Sequence, residues 1–216
     1  MPADWFRKKC WSEEDQTDFW RRLAKARHHN RAQYVFIQGF TLMEAGPQYR
    51  VDAISLFDHV IDRYPGSMNF VAALSARADC LLDSGDVDGA LTYYDRAVHQ
   101  MRIEPTIQTW AWLDFAWLVA TSALSDKYET ALSLLDEFGS KQQLFPVVTF
   151  RLCGSRALIQ SAYGLTDVAA AAARTALDAA DRKESGLRYH PDIGLVGDRY
   201  GEAYARLTTI ARGMTA

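Results

Sequence analysis

The sequence predicts an all-α protein in which about four helix-turn-helix repeats stack into an α-α superhelix, with a capping helix at each end. Proline occurs only 6 times in 216 residues, and alanine-rich stretches such as 168–180 have high helix propensity. Small residues also recur at a long interval, because Ala53, Ala90, Ala131 and Ala169 are separated by 37, 41 and 38 positions. A recurrence of this length is typical of repeat proteins, in which each helix pair buries an apolar face against the next pair.

The first predicted helix follows Ser12 and runs to about His28. Ser12 is a suitable N-cap, and Asp15 gives the helix an acidic first turn. The apolar face of this helix is formed by Phe19, Leu23 and Ala26. The helix is therefore expected to act as the N-terminal cap of the stack.

Segment 5–11 precedes this helix and combines aromatic residues with three successive basic residues. Such a segment can touch a membrane surface or an acidic partner. Because it is short and is followed by acidic residues, we expect it instead to fold back on the first helices.

Each predicted repeat has a small residue where its two helices cross, followed by aromatic, branched or small residues on the same face. The first has a helix over 31–45, the breaker Gly46-Pro47, and then Ala53, Phe57, Val60 and Pro65. The second contains Ala78, Gly85, Ala90, Tyr94 and Ala97. The third contains Trp117, Leu118, Tyr128, Ala131, Leu135 and Phe138, with Asp126-Lys127 in its turn. The fourth contains Ala157, Gly164, Ala169, Ala173 and Ala176.

This pattern resembles the tetratricopeptide repeat over residues 31–182, and the run Gly-Asp-Val-Asp-Gly-Ala-Leu at 85–91 looks like that family's inter-helix turn. The intervals exceed the family's period of about 34 residues, which predicts longer linkers and an irregular superhelix. Runs 11–15 and 30–34 are also similar to uncharacterised bacterial tetratricopeptide proteins. The resemblance implies a solenoid whose first helices line a concave, partner-binding groove.

After the repeats, residues 184–194 form the longest stretch with loop character, and helical spacing resumes from about Val196 to Arg212. This last helix is expected to cap the other end of the stack. The expected organisation is a single domain, with residues 1–30 as N-terminal cap, 31–182 as repeats, and 183–216 as loop and C-terminal capping helix.

Composition and motifs argue against several functional classes. The net charge of −3, from 24 basic and 27 acidic residues, provides no general field for nucleic acid or a membrane surface. Cysteines 10, 80 and 153 form no CxxC pair, and His28 and His29 point about 100° apart on a helix, which is poor geometry for a metal. No apolar run reaches the roughly 20 residues of a membrane span, and GxGxxG, GxxxxGK[ST], GxSxG and HExxH are missing. We therefore expect a cytoplasmic, non-enzymatic protein without cofactor or metal.

The repeat register places one set of residues along the expected groove, where a protein or peptide would bind. These residues are Val35, Gln38, Leu42, Ser75, Asp79, Leu113, Ala116, Arg151 and Leu158. The corresponding functional hypothesis is a bacterial adaptor, chaperone or immunity-type protein. A homodimer formed through tryptophan-rich faces is an alternative, as is a small-molecule sensor or enzyme.

Three charged residues are candidates for a polar network. Arg77 and Arg156 occupy equivalent positions on first helices, and Asp114 lies between them in the expected stack. Because a guanidinium between helices needs a partner, the three are expected to interact. They form either an internal ion network that fixes the stacking or a ligand-facing cluster, in the second case together with His190.

Two further segments are candidates for binding. Residues 109–117 contain Trp110 and Trp117 on one helix face and Trp112 on another. These rings either pack in the core or serve as aromatic anchors in the groove. In the 184–194 loop, Arg188 and His190 flank Tyr189, so this loop is either a recognition loop or a simple connector.

Overall fold

The computed structural model describes residues 4–140 and 145–213. Within these ranges the secondary structure is entirely helical, with ten α-helices, three short 3₁₀ turns and no strand. The predicted all-α class is confirmed. The chain divides into two compact units, one ending at Ala111 and the other beginning at Trp112. Whether these units make up the single domain expected from the sequence stays a prediction.

The first unit contains five helices joined by short connections. They are α1 (Glu13–Lys25), α2 (His28–Ala45), α3 (Arg50–Arg63), α4 (Phe70–Asp83) and α5 (Val87–Ile103). Helix α2 packs on α3, α3 on α4, and α4 on α5, so neighbours in sequence are neighbours in space.

The second unit contains the other five helices and the long loop. They are α6 (Ala111–Thr121), α7 (Tyr128–Phe138), α8 (Pro146–Ala162), α9 (Thr166–Ala180) and α10 (Gly201–Ala211). Helix α8 packs on α7 and α9, and α10 lies against both α8 and α9. The last helix therefore covers the preceding pair, as expected of a cap, although it begins five residues later than predicted because a 3₁₀ turn, Asp198–Tyr200, precedes it.

The predicted N-cap at Ser12 is confirmed, and it forms a capping box with Asp15. The Asp15 backbone N–H donates to Ser12 Oγ at 3.2 Å, and the Ser12 N–H donates to Asp15 Oδ2 at 3.2 Å. These reciprocal bonds satisfy backbone donors that have no partner within the helix. Phe19 and Leu23 are buried on the inner face of this helix.

The four alanines used to set the repeat register are all 0% exposed. They lie on α3, α5, α7 and α9, the second helices of four successive pairs. Small side chains at these positions let helix axes approach closely, which is why bulkier residues do not occur there. Burial of Ala53, Ala90, Ala131 and Ala169 is what the repeat register requires, and close helix crossing at these four residues stays a prediction.

Three of the turns between paired helices share one geometry. Gly85, Ala123 and Gly164 have φ of 83°, 54° and 74°, and the residue after each donates its N–H to the carbonyl five positions earlier, at 2.9–3.0 Å. In the turn after Ala123, however, the 3₁₀ turn Ser125–Lys127 is inserted before α7. This insertion accounts for the longest of the three intervals between the crossing alanines.

Candidate interaction surface

The predicted groove residues of α2 lie inside the first unit. Val35, Gln38 and Leu42 are all 0% exposed. Burial of the two apolar side chains is ordinary core packing, but burial of an amide requires hydrogen-bond partners. These side chains are therefore covered in this structure, their role in binding a partner stays a prediction, and the partners of Gln38 explain how its amide is covered.

The N-terminal strap, residues 4–11, lies across α2 and occupies the position expected for a partner. The Lys8 backbone N–H donates to Gln38 Oε1 at 2.9 Å, and Gln38 Nε2 donates to the Lys8 carbonyl oxygen at 2.7 Å. One side-chain amide thus satisfies both backbone groups of one strap residue, with each bond contributing about 1 kcal/mol. The prediction that segment 5–11 folds back on the first helices is confirmed.

Aromatic rings hold the strap on both sides of this amide. Trp5 and Phe6 lie against Tyr34 of α2, with ring centroids 5.1 and 4.6 Å apart. Trp5 and Trp11 both contact Phe19 of α1, at 5.4 and 5.3 Å. Centroid separations of this size are typical of favourable aromatic pairs. The strap therefore packs between the first two helices.

The Lys8 side chain extends toward two carboxylates of α1. Its Nζ lies 2.9 Å from Asp15 Oδ1 and 3.4 Å from Asp18 Oδ2. The hydrogen bond that Lys8 Nζ donates to Asp15 raises the pKa of Lys8, and the same bond lowers the pKa of Asp15. Hydrogen bonds from Arg22 and Arg21 hold the pKa of Asp18 at about 2. Both carboxylates are therefore ionised at neutral pH, and they present negative charge to the strap lysine.

On α4, the structure assigns structural partners to the predicted groove residues. Ser75 Oγ lies 3.0 Å from Thr109 Oγ1 and 3.1 Å from the Val71 carbonyl oxygen. Asp79 accepts a 2.5 Å hydrogen bond from the Tyr94 hydroxyl of α5. These contacts hold the first unit's own elements together.

The three residues of the expected polar network bind other partners. Arg77 pairs with Asp58 of α3, and its guanidinium lies 4.1 Å from the Tyr93 ring centroid on α5. Its acidic partner is thus an aspartate on the preceding helix, which differs from the expected Asp114. An ion pair that joins α3 to α4 fixes how these helices stack, and this favours the structural interpretation of Arg77.

In the second unit, Asp114 of α6 pairs with Arg151 of α8 at 2.7 Å. Arg156 pairs with Asp136 of α7 at 2.6 Å and donates to the Leu135 carbonyl oxygen at 3.2 Å. The expected network is therefore corrected: the two arginines of α8 take different carboxylates, because side chains five positions apart on a helix do not lie on the same face.

The other groove residues predicted in the second unit are covered. Leu113 and Leu158 are 1% and 5% exposed, and Ala116 is also buried. Arg151 is half-buried, with its guanidinium 5.7 Å from the Trp117 ring centroid. Its contacts are those of a residue that joins helices.

The tryptophans of segment 109–117 have different environments. Trp112 is buried and stacks on Phe138 of α7 at 6.0 Å. Trp117 contacts Phe150 of α8 at 5.7 Å. Core packing therefore accounts for these two rings, whereas Trp110 is 45% exposed and precedes α6.

The 184–194 loop is ordered by its own hydrogen bonds. Ser185 N–H donates to the Pro191 carbonyl oxygen at 2.7 Å, and Ser185 Oγ donates to the His190 carbonyl oxygen at 3.0 Å. Arg188 and His190 are exposed. The structure therefore leaves both of these candidates accessible on the surface.

Sequence reasoning named Gln38 but missed the residues that hold the strap with it. These are Tyr34, Phe19, Asp15 and Asp18. The available signal was a lysine next to aromatic residues, followed by two acidic residues at the start of α1. That signal shows complementary chemistry, yet it does not show which side chains meet.

No helix among residues 4–140 and 145–213 is long and apolar enough to cross a membrane. In the same ranges, no group of three or more histidine, cysteine, aspartate or glutamate side chains is arranged to hold a metal ion. All three cysteines are free thiols. Burial raises the pKa of Cys80 to about 11 and also raises that of Cys153.

No protein-family model matches the chain, and the comparisons with curated proteins and with solved structures find no significant match. The resemblance to tetratricopeptide repeats therefore depends on the residues quoted above.

Proposed function

We propose that this protein is a non-enzymatic interaction module of the bacterial cytosol, which holds a segment of a partner protein against the first helices of its helix pairs. The fold we propose is an irregular, tetratricopeptide-like superhelix. An adaptor, chaperone or immunity-type protein works in this way, because a stack of helix pairs offers a long surface without needing a catalytic centre.

The observation that carries the proposal is that a side chain of α2 binds the main chain of a separate segment. Gln38 binds both backbone groups of Lys8. An amide used in this way recognises main-chain groups rather than a particular side chain, and a peptide partner presents the same groups. The same helix therefore has the chemistry to bind a segment from another protein.

The other proposed properties have separate support. Free thiols and the raised pKa of Cys80 suit a reducing cytosol. The carboxylate partners of Arg77 and Arg156 favour ion pairing between helices over binding of a small molecule. We accordingly propose a protein or peptide partner, and neither nucleic acid nor a membrane.

Affinity purification from the native organism, followed by titration of the purified partner, tests this function. We expect a stoichiometric complex that Gln38→Leu weakens at least tenfold. Gln33→Leu is the matched control, because Gln33 is on the same helix but exposed. A partner that binds both variants equally, or a metabolite that raises the melting temperature when no protein copurifies, would refute the proposal.

Light scattering at several concentrations separates this function from the alternative of a homodimer. A strict monomer is expected when the partner is absent. A dimer whose mass persists on dilution would favour self-assembly instead.

A further inference from the structure

We propose that the strap is an intramolecular occupant of a peptide-binding site on α1 and α2, and that the partner segment which replaces it has the strap's own chemistry. That chemistry is two adjacent aromatic residues in a turn, which the Arg7 N–H closes by donating to the Asp4 carbonyl oxygen at 3.0 Å, followed by any one residue and then a lysine. This inference rests on the proposed function, since it specifies which kind of segment the module binds.

The first argument is that the site recognises main chain through one buried side chain. Gln38 is 0% exposed, and both ends of its amide bond to Lys8. A segment from another protein can supply the same N–H and carbonyl groups. Because a buried amide without partners is costly, α2 favours some occupant at this position at all times.

The second argument is that the pockets beside this amide differ in chemistry. Tyr34 and Phe19 receive the rings of Trp5 and Phe6, whereas Asp15 and the neighbouring Asp18 receive the Lys8 ammonium group. The site thus takes adjacent aromatic residues at Tyr34 and Phe19 and a cation at the two carboxylates. This arrangement gives the site a direction and a register.

The third argument concerns strap residues whose side chains the site does not recognise. Arg7 has a side chain that is 54% exposed and pairs only loosely with Asp4, at 3.7 Å. Lys9 is also exposed. A binding segment is therefore expected to tolerate substitution at these two positions but not at Lys8, although all three side chains carry the same charge.

The fourth argument is that the strap can be displaced. Lys8, Asp15 and Asp18 keep about a quarter of their side-chain surface exposed, so their ion pairs are screened by solvent. A short tether to α1 gives the strap a roughly millimolar effective concentration. A free peptide therefore competes poorly with the intact strap and binds well once the strap is weakened.

The experiment uses the full-length chain and a fluorescein-labelled peptide with the sequence of residues 4–12, in which Cys10 is replaced by serine. The strap is weakened by the combined substitutions Trp5→Ala, Phe6→Ala and Lys8→Glu. Fluorescence anisotropy is expected to show at least tenfold tighter peptide binding to this variant than to the wild type. Circular dichroism and a cooperative thermal transition establish that the variant is folded, and the single variant Lys8→Glu serves if the triple variant is not.

Two controls locate the binding site. In the weakened background, Gln38→Leu is expected to reduce peptide affinity at least tenfold, whereas Gln33→Leu leaves it unchanged. A peptide with Lys8→Glu is expected to bind at least tenfold more weakly than a peptide with Lys9→Glu, which has the same net charge. Equal losses with both peptides would show nonspecific electrostatic binding and overturn the inference.

The remaining outcomes also decide the question. A folded, strap-weakened protein that does not bind the peptide overturns the inference. A wild-type dimer that dissociates when the strap is weakened assigns the site to a second copy of the chain and overturns it as well. If the copurified partner still binds in a Gln38-dependent manner while the strap peptide does not, only the inference fails and the proposed function stands.

Discussion

Replacing Ala123 by glycine tests whether the turn between α6 and α7 stores backbone strain. Ala123 has a φ of 54°, while the equivalent residues of the other two turns with this geometry are glycines. A left-handed conformation costs an L-residue about 1–2 kcal/mol, and glycine makes the unfolded chain more favourable by about 0.4–1 kcal/mol. The difference predicts that Ala123→Gly stabilises the second unit by about 0.5–1 kcal/mol.

Gly164→Ala is the matched control for this substitution, because it places the same methyl group in the equivalent turn of the same unit. A Cβ at Gly164 meets no heavy atom of the described residues within 4 Å. Only the backbone conformation therefore opposes the change, and we expect a destabilisation of about 1 kcal/mol.

Urea unfolding followed by circular dichroism measures both effects. We expect the two midpoints to move in opposite directions with an unchanged dependence on urea concentration, and a thermal midpoint for Ala123→Gly that rises by about 1–4 °C. Loss of stability in Ala123→Gly, or no loss in Gly164→Ala, would show that the turn geometry does not carry this strain.

Three further predictions follow from packing, charge and burial. Ala90→Trp is expected to destabilise the first unit by about 1–3 kcal/mol or more in urea unfolding, because Ala90 is 0% exposed where α5 packs on its neighbour. Thr92→Trp, at an exposed position of the same helix, is the control and should have little effect. The pKa of Asp18 is lowered to about 2. The stability that Asp18 provides is therefore present above its ordinary pKa near 3.8 and is lost as pH falls through about 2. Asp18→Asn should remove that part of the acid dependence, and equal acid unfolding curves for the variant and the wild type would contradict this prediction. A thiol reagent at neutral pH is expected to modify exposed Cys10 first and to reach Cys80, whose pKa is about 11, only when the protein unfolds. Equal rates of modification of Cys10 and Cys80 in the folded protein, measured by mass spectrometry, would contradict this prediction.

The sequence by itself determined the helical class and the small residues that the helices bury. Ala53 and Ala169 are examples, since a small residue at a regular interval needs no knowledge of the partner helix to be recognised. The N-cap at Ser12 and the turn at Gly85 could also be recognised from the sequence, because capping and turn formation depend on a few adjacent residues. The longer interval between Ala90 and Ala131 could be counted in the sequence, whereas the inserted 3₁₀ turn that causes it was apparent only in the structure.

Only the tertiary structure decided which long side chains meet. Arg77 pairs with Asp58 and Arg156 with Asp136, although Asp114 was the nearest candidate by sequence reasoning. A guanidinium reaches several positions on neighbouring helices, so small differences in helix rotation select its carboxylate. The strap follows the same principle. The segment was expected to fold back, but its attachment to Gln38 depends on backbone groups of Lys8, and every residue of the sequence except proline carries the same two groups.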